Sequence, residues 1–148
     1  MDGIELVPAA AEHLELLLRM ARAFHVEDGH PLTERGAAAL AAAVAGHPAA
    51  RVWLVREGER VVGYTVLGLG FGIEYGGSAA FVDDLYLVPE ARGRGRGAAV
   101  LALVEREARA LGLAALFLVV DPDNAPARRA YARAGFTPTR WLLLDKRL

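Results

Sequence analysis

LYLVPEARGRGRG, Leu85 to Gly97, decides how the rest of the chain is read. The apolar run Leu85-Tyr86-Leu87-Val88 stops at Pro89, and three Arg-Gly pairs follow, Arg92-Gly93, Arg94-Gly95 and Arg96-Gly97. A helical pattern opens at Ala98. The order is strand, turn, glycine-rich loop, helix N-terminus. Such a loop leaves backbone N–H groups uncovered, with the positive end of a helix dipole behind them. Three arginines add charge. The physical reading is a cradle for a phosphate or pyrophosphate.

Around this stretch, 148 residues imply one domain, 1–148, with a real core. Apolar content of 54% and charged content of 24% are those of an ordinary globular chain. No apolar run reaches membrane-spanning length, and Asp2 and Glu5 stand where a secretory leader would be basic, so the expected location is cytoplasmic. The absence of cysteine removes disulfides and thiolate chemistry. A net charge of −1 argues against bulk nucleic-acid binding. His13, His25, His30 and His47 lack metal-ligand spacing, so no metal is expected.

Outward along the chain, Ile4 to Val7 alternates and reads as a strand, and Leu14, Leu17, Leu18, Ala21 and Phe24 mark a helix from about Glu12 to Phe24. His25 to Leu32 reads as a loop. Thr33 caps a second helix, Glu34 to Ala45, stopped by Gly46 and Pro48. Val52 to Val55 and Val61 to Leu69 form a hairpin around Glu57 to Arg60. Phe71 to Ser78 reads as a loop, and Ala80 to Val88 as the strand that carries Asp83 and Asp84. A helix from about Arg96 to Leu111 leads to Leu113–Val120, a buried strand parallel to its predecessor across that helix. Asn124 and Pro126 start a helix running to about Ala134, and Trp141 to Lys146 reads as a final strand. The predicted class is α+β, an α/β sandwich: a mixed, mostly antiparallel twisted sheet with helices on both faces.

The loop admits other readings. Gly93, Gly95 and Ala98 satisfy the dinucleotide-binding G-x-G-x-x-A, with Asp121 suitably placed for a ribose. Only 27 residues follow Asp121, however, and hairpin strands rather than a parallel sheet precede the loop. An arginine-glycine nucleic-acid segment would be repeated and disordered, and this one is short and wedged between a strand and a helix. No Gly-Lys-Ser or Gly-Lys-Thr follows, which excludes a Walker loop.

Taken with its surroundings, the loop resembles that of the GNAT family of N-acetyltransferases. The family pattern is Arg or Gln, two residues, Gly, one residue, Gly or Ala; here it is Arg92, Gly95, Gly97. Asp84 to Glu90, DLYLVPE, is similar to the strand and turn before that loop, and Asp121 to Phe136, DPDNAPARRAYARAGF, to the family's closing segment. The element order from Ile4 to Lys146 fits as well. The resemblance implies the acyl-CoA N-acyltransferase fold and acetyl-CoA as acetyl donor. The amides from Arg92 to Ala98 (Arg92, Gly93, Arg94, Gly95, Arg96, Gly97, Ala98) would take its pyrophosphate; the Arg94 and Arg96 side chains meet either phosphate or solvent.

The backbone of Leu85, Leu87 and Val88 would hold the pantetheine arm as an added strand does. Asn124 matches the family's asparagine beside that arm and equally serves as a helix N-cap. Tyr131 matches the tyrosine facing the thioester sulfur, and would protonate or hydrogen-bond the departing thiolate. A phenol, with an ordinary pKa near ~10, is energetically matched to that step. The amine acceptor would attack directly, with a carboxylate or a water chain as base. Strand alternation puts one of Asp83 and Asp84 in the cleft. Similarity to the polyamine acetyltransferases favours Asp83, and Glu74 is a further candidate. A non-catalytic CoA-binding module and use of another acyl-CoA are the competing readings.

The resemblance locates substrate choice in the first two helices and the 71–78 loop. Glu27, Asp28 and Glu74, with His25 and His30, supply groups for the rim of a cationic amine site, small-molecule or protein. No nucleic-acid or membrane partner is expected. A homodimer through Trp141 to Leu144 is compatible with the pattern.

Overall fold

The computed structural model describes residues 3–148. Its order is β1 (Ile4–Pro8), α1 (Leu14–Glu27), α2 (Glu34–Val44), β2 (Ala50–Glu57), β3 (Arg60–Gly72), β4 (Gly77–Leu87), α3 (Arg96–Ala110), β5 (Ala115–Phe117) and α4 (Ala125–Arg133). The strands form one sheet in sequential order. β1 to β4 pair antiparallel, and β5 joins β4 in parallel after the α3 crossover. This is the mixed α+β sandwich predicted.

The sheet has a core on each face. Val52 and Leu54 pack with Leu17, Met20, Ala21 and Leu40 of α1 and α2, while Trp53 and Val55 pack with Val100 and Val104 of α3. Strand alternation thus sends neighbouring β2 residues into opposite layers, and all four are buried. The close fit is visible at Gly63, where an added Cβ would stand 2.0 Å from the Tyr86 carbonyl oxygen.

Four expectations change. α1 continues through Glu27, so His25 and Glu27 are helical rather than in a loop. The 71–78 loop is a hairpin end, with strand at Phe71-Gly72 and Gly77-Ser78 and a turn at Ile73 to Gly76. The predicted strand Leu113–Val120 shrinks to Ala115–Phe117, paired with Ala79 to Phe81. The predicted final strand Trp141–Lys146 is not formed: no strand partner lies beside it among the described residues, and Leu142 and Leu144 are 86% and 84% exposed.

A β-bulge accounts for the short β5. Val66 faces Asp84 and Leu67 faces Val82, so Asp83 is an extra residue in β4. A bulge bends its strand and tightens the local twist. β4 turns away just past the residues that pair with β5, and among the described residues its β5-side edge from Val82 to Leu87 has no strand neighbour.

Candidate active site

The bulge also corrects the alternation argument for the two aspartates. Val82 and Leu85 both pack toward the α3-side core, and Tyr86 packs toward α1. With an extra residue between Val82 and Leu85, Asp83 and Asp84 share the α1 face instead of dividing between faces.

The two carboxylates sit differently there. Asp84 is nearly closed off, its side chain 13% exposed. Its Oδ2 accepts a hydrogen bond from the Tyr64 hydroxyl at 2.7 Å and lies 3.1 Å from His25 Nε2. Tyr64 is fully buried; desolvation above all, then the Asp84 charge, pushes its phenol far above the ordinary range, so it remains a donor. Asp83 is exposed to solvent yet crowded by protein atoms, as a cleft wall is. Desolvation first, then the charge of Asp84, raises its pKa, with His25 opposing.

The glycine-arginine loop keeps the conformation its glycines allow. Gly93, Arg94 and Gly95 have φ of 86°, 55° and 75° in succession, and Arg94 is the one non-glycine with positive φ among the described residues. Gly95 caps α3 without a side-chain hydrogen bond. The Arg96 amide reaches the Gly93 carbonyl and the Ala99 amide the Gly95 carbonyl. The amides of Gly93, Arg94, Gly95, Gly97 and Ala98 have no protein acceptor among the described residues. Space beyond Gly93, Gly95 and Gly97 is open, with nothing within 4 Å of an added Cβ. Unmet donors, open space and a helix N-terminus fit a pyrophosphate.

The three arginines divide. Arg92 donates to the Leu87 carbonyl at 2.9 Å, pairs with both Glu27 oxygens at 2.9 and 2.8 Å, and lies over the Tyr86 ring. It ties the loop to β4 and to the end of α1. Arg96 pairs with both Glu57 oxygens through Nε and Nη2, one edge of its guanidinium, and that hydrogen bonding holds the Glu57 carboxyl below its usual range. Arg94 has no ion pair among the described residues.

Asn124 is realised as the N-cap of α4, its Oδ1 accepting from the Ala127 amide at 3.2 Å. Tyr131, on α4, is half-buried beside Phe136. Its phenol is pushed up first by desolvation, then by the charge of Asp28 at the end of α1. That influence links α4 to the same helix end that carries His25 and Glu27. Glu74 does not join them. It sits at the β3–β4 turn, and the seven steps of strand from Gly77 to Asp84 put it about 23 Å away.

A cleft of ≈ 1490 Å³ runs among α3, β5, α4 and the C-terminal segment. Its lining includes Ala98 and Tyr131 but not Asp83 or Asp84. It exceeds the roughly 300–1,000 Å³ of a typical small-molecule pocket. Among the described residues no group of three His, Cys, Asp or Glu is placed to hold a metal, and no helix is long and apolar enough to cross a membrane.

Sequence reasoning missed Tyr64 and the role of His25. A signal for His25 was present: it falls four residues after Ala21 and eight after Leu17, both buried, and so on the inward face of α1 once that helix is continued.

Comparison with known proteins agrees with this architecture. Residues 14–136 match the acetyltransferase (GNAT) family. The chain belongs to that family, whose donor is acetyl-CoA. Mycothiol acetyltransferase of Pseudarthrobacter chlorophenolicus is 32% identical over 146 residues, which is 95% of this chain and 44% of that protein. The chain spans less than half the length of the curated relatives it matches. Integron cassette protein HFX_CASS3, from the mobile metagenome of Cole Harbour Salt Marsh, is 38% identical with a TM-score of 0.81, covering 97% of this chain and 90% of that one. A predicted acetyltransferase of Clostridium acetobutylicum, solved with acetyl-CoA, shares the fold at a TM-score of 0.77 and 18% identity, covering 96% of each chain.

Proposed function

We propose that the chain is a single-domain N-acetyltransferase that transfers the acetyl group of acetyl-CoA to a primary amine by direct attack. The observation that carries this reading is the run of left-handed residues Gly93 to Gly95, with its unmet amides, at the N-terminus of α3. These amides and Arg94 would take the pyrophosphate, and the open edge of β4 from Leu85 would take the pantetheine arm. Arg92 and Arg96 hold the loop in shape through Glu27 and Glu57. Acetyl-CoA supplies an activated acyl carbon whose leaving group is a thiolate. Tyr131 donates the proton that this thiolate needs, and its raised pKa keeps it protonated at neutral pH. The base that receives the amine's proton, directly or through water, stands with Asp83 and Asp84 on the α1 face of β4. Asp28, with Glu27 behind it, favours a cationic acceptor; Glu74 would reach only a long one.

The experiment is acetyl-CoA binding by calorimetry, with thiol release measured against a panel of amines that includes mycothiol-type acceptors. Tight binding with turnover supports the reading. Binding without turnover, unchanged by Tyr131→Phe, marks a CoA-binding module instead, and turnover with a longer acyl-CoA alone reassigns the donor. A cytoplasmic location and a homodimer through the exposed Trp141 to Leu144 belong to the same proposal; a monomeric mass in solution would remove the dimer.

A further inference from the structure

Asp84, a candidate base by its place in the sequence, is occupied. Its Oδ2 takes the Tyr64 hydroxyl at 2.7 Å and faces His25 Nε2 at 3.1 Å, and little of its side chain reaches solvent. Because Tyr64 is fully buried and remains a phenol, it gives its proton to Asp84 and does not receive one. Asp84 is therefore the acceptor in this cluster, and His25 Nε2 carries the hydrogen. A neutral imidazole with hydrogen on Nε2 has a bare Nδ1, a proton acceptor.

We propose that His25 is the general base of the acetyl transfer, with Asp84 and Tyr64 as the positioning residues that fix its tautomer. The assignment rests on the acetyltransferase reading given above. Two elements hold the ring. Asp84 of β4 fixes the Nε2 edge, and Phe24 of α1 packs against it edge-on at 5.4 Å between centroids. Phe24 in turn packs on Tyr86. The His25 side chain remains 29% exposed with its Nε2 edge already used. Asp83 of β4 stands near enough to feel the charge of the ring, and Asp28 follows three residues on as the C-cap of α1. Asp83 and Asp28 give the ring an acidic rim suited to an ammonium group.

An imidazole is, by ordinary values, a stronger base than a carboxylate by roughly 2–3 pKa units, so it is closer in proton affinity to an alkylamine. The protons balance as follows. The ammonium gives one proton to His25 Nδ1, and the freed nitrogen bonds to the acetyl carbon as the carbon–sulfur bond breaks. The thiolate takes the Tyr131 proton, and the nitrogen's second proton restores the phenol. His25 returns its proton to solvent, for a net release of one.

The first test uses the full chain with ¹⁵N-labelled histidine and needs no acceptor. Neutral His25 is expected to carry hydrogen on Nε2 alone, and Asp84→Asn to abolish that preference. Hydrogen on Nδ1 in the wild type overturns the assignment. The second test uses any amine the wild type accepts. His25→Gln should lower kcat about 10²-fold, within the usual range for a general base, with acetyl-CoA affinity unchanged. His25→Gly should regain turnover with added imidazole. Undiminished kcat in His25→Gln, or a His25→Gly chain that binds acetyl-CoA normally yet is not rescued, overturns it. A wild type that fails to bind acetyl-CoA overturns the donor reading and this assignment together; a wild type that turns amines over with His25→Gln unimpaired overturns the assignment alone.

Discussion

Leu17 and Val104 are closed off from solvent, whereas Leu142 and Leu144, no less apolar, stand 86% and 84% exposed. The first pair belongs to the part of the chain built on β1 to β4, where α1, α2 and α3 cover both faces of the sheet. The second belongs to the part after α3. There β5 has three residues, α4 has no buried residue and the last segment has no strand neighbour. An apolar run becomes core only when a partner strand or helix face is within reach, and the bend at Asp83 removes the partner that β5 would have needed. The division runs through the candidate site. The phosphate loop, the aspartates and His25 stand on the packed part, while Tyr131 stands on the lightly held one. The proposed binding and proton-accepting groups thus stand on the core, and the proposed proton donor, Tyr131, stands on an element that owes the core little.

The sharpest way to break this comparison is by unfolding free energy. Leu17→Ala should cost about 2–5 kcal/mol, as large-to-small changes in a filled core do, and Leu142→Ala no more than about 0.5 kcal/mol. Denaturant titration of both variants decides; equal losses would erase the distinction. Gly63→Ala belongs with the first, at roughly 3 kcal/mol, because the Tyr86 backbone cannot yield to a Cβ 2.0 Å away.

Tyr131→Phe should separate function from stability. Its kcat is expected to fall about 10²-fold, with acetyl-CoA affinity and unfolding midpoint close to wild type. A fall in stability as large as that of Leu17→Ala would mean that α4 is core after all.

Gly95→Ala tests the loop. A side chain in the left-handed region costs roughly 1–2 kcal/mol, and relaxing that strain should weaken acetyl-CoA binding by up to about tenfold. Calorimetry on the variant reads this directly.

The smallest effect is the titration of Asp83. Its carboxyl should titrate above the ordinary range in a ¹³C NMR experiment. Asp84→Asn should bring it down, because one of the charges that raises it is gone, and His25→Gln should raise it further. The folded chain holds this proton to higher pH than the unfolded chain does. Asp83 therefore contributes a stability that declines as pH rises from the unfolded midpoint through the folded one. Asp83→Asn should flatten that decline.

Much of this was legible in the residues. Periodicity placed all four helices and the first four strands, and the Arg-Gly run located the loop. Local chemistry suffices for such features: a helical face, a turn residue or a left-handed glycine is specified by its near neighbours. The bulge was not legible, because register belongs to a pair of strands. With it went the shared face of Asp83 and Asp84 and the length of β5. His25 reads as loop because the run to Leu32 is polar and holds Gly29 and Pro31, and the groups that its cluster brings together, Asp84 and Tyr64, are 59 and 39 residues away in sequence. Trp141 to Leu144 has the composition of a strand, but composition does not supply a neighbour.

By itself, then, the sequence determined the order of the four helices and the first four strands, and a glycine-arginine loop at a helix N-terminus with asparagine and tyrosine downstream. Those are encoded by spacing along one chain. Only the tertiary structure decided that Arg92 and Arg96 brace the loop while Arg94 is left over, that both aspartates face α1, and that Asp84 is committed to Tyr64 and His25. Each of these depends on which distant side chains the folded sheet brings within hydrogen-bonding distance.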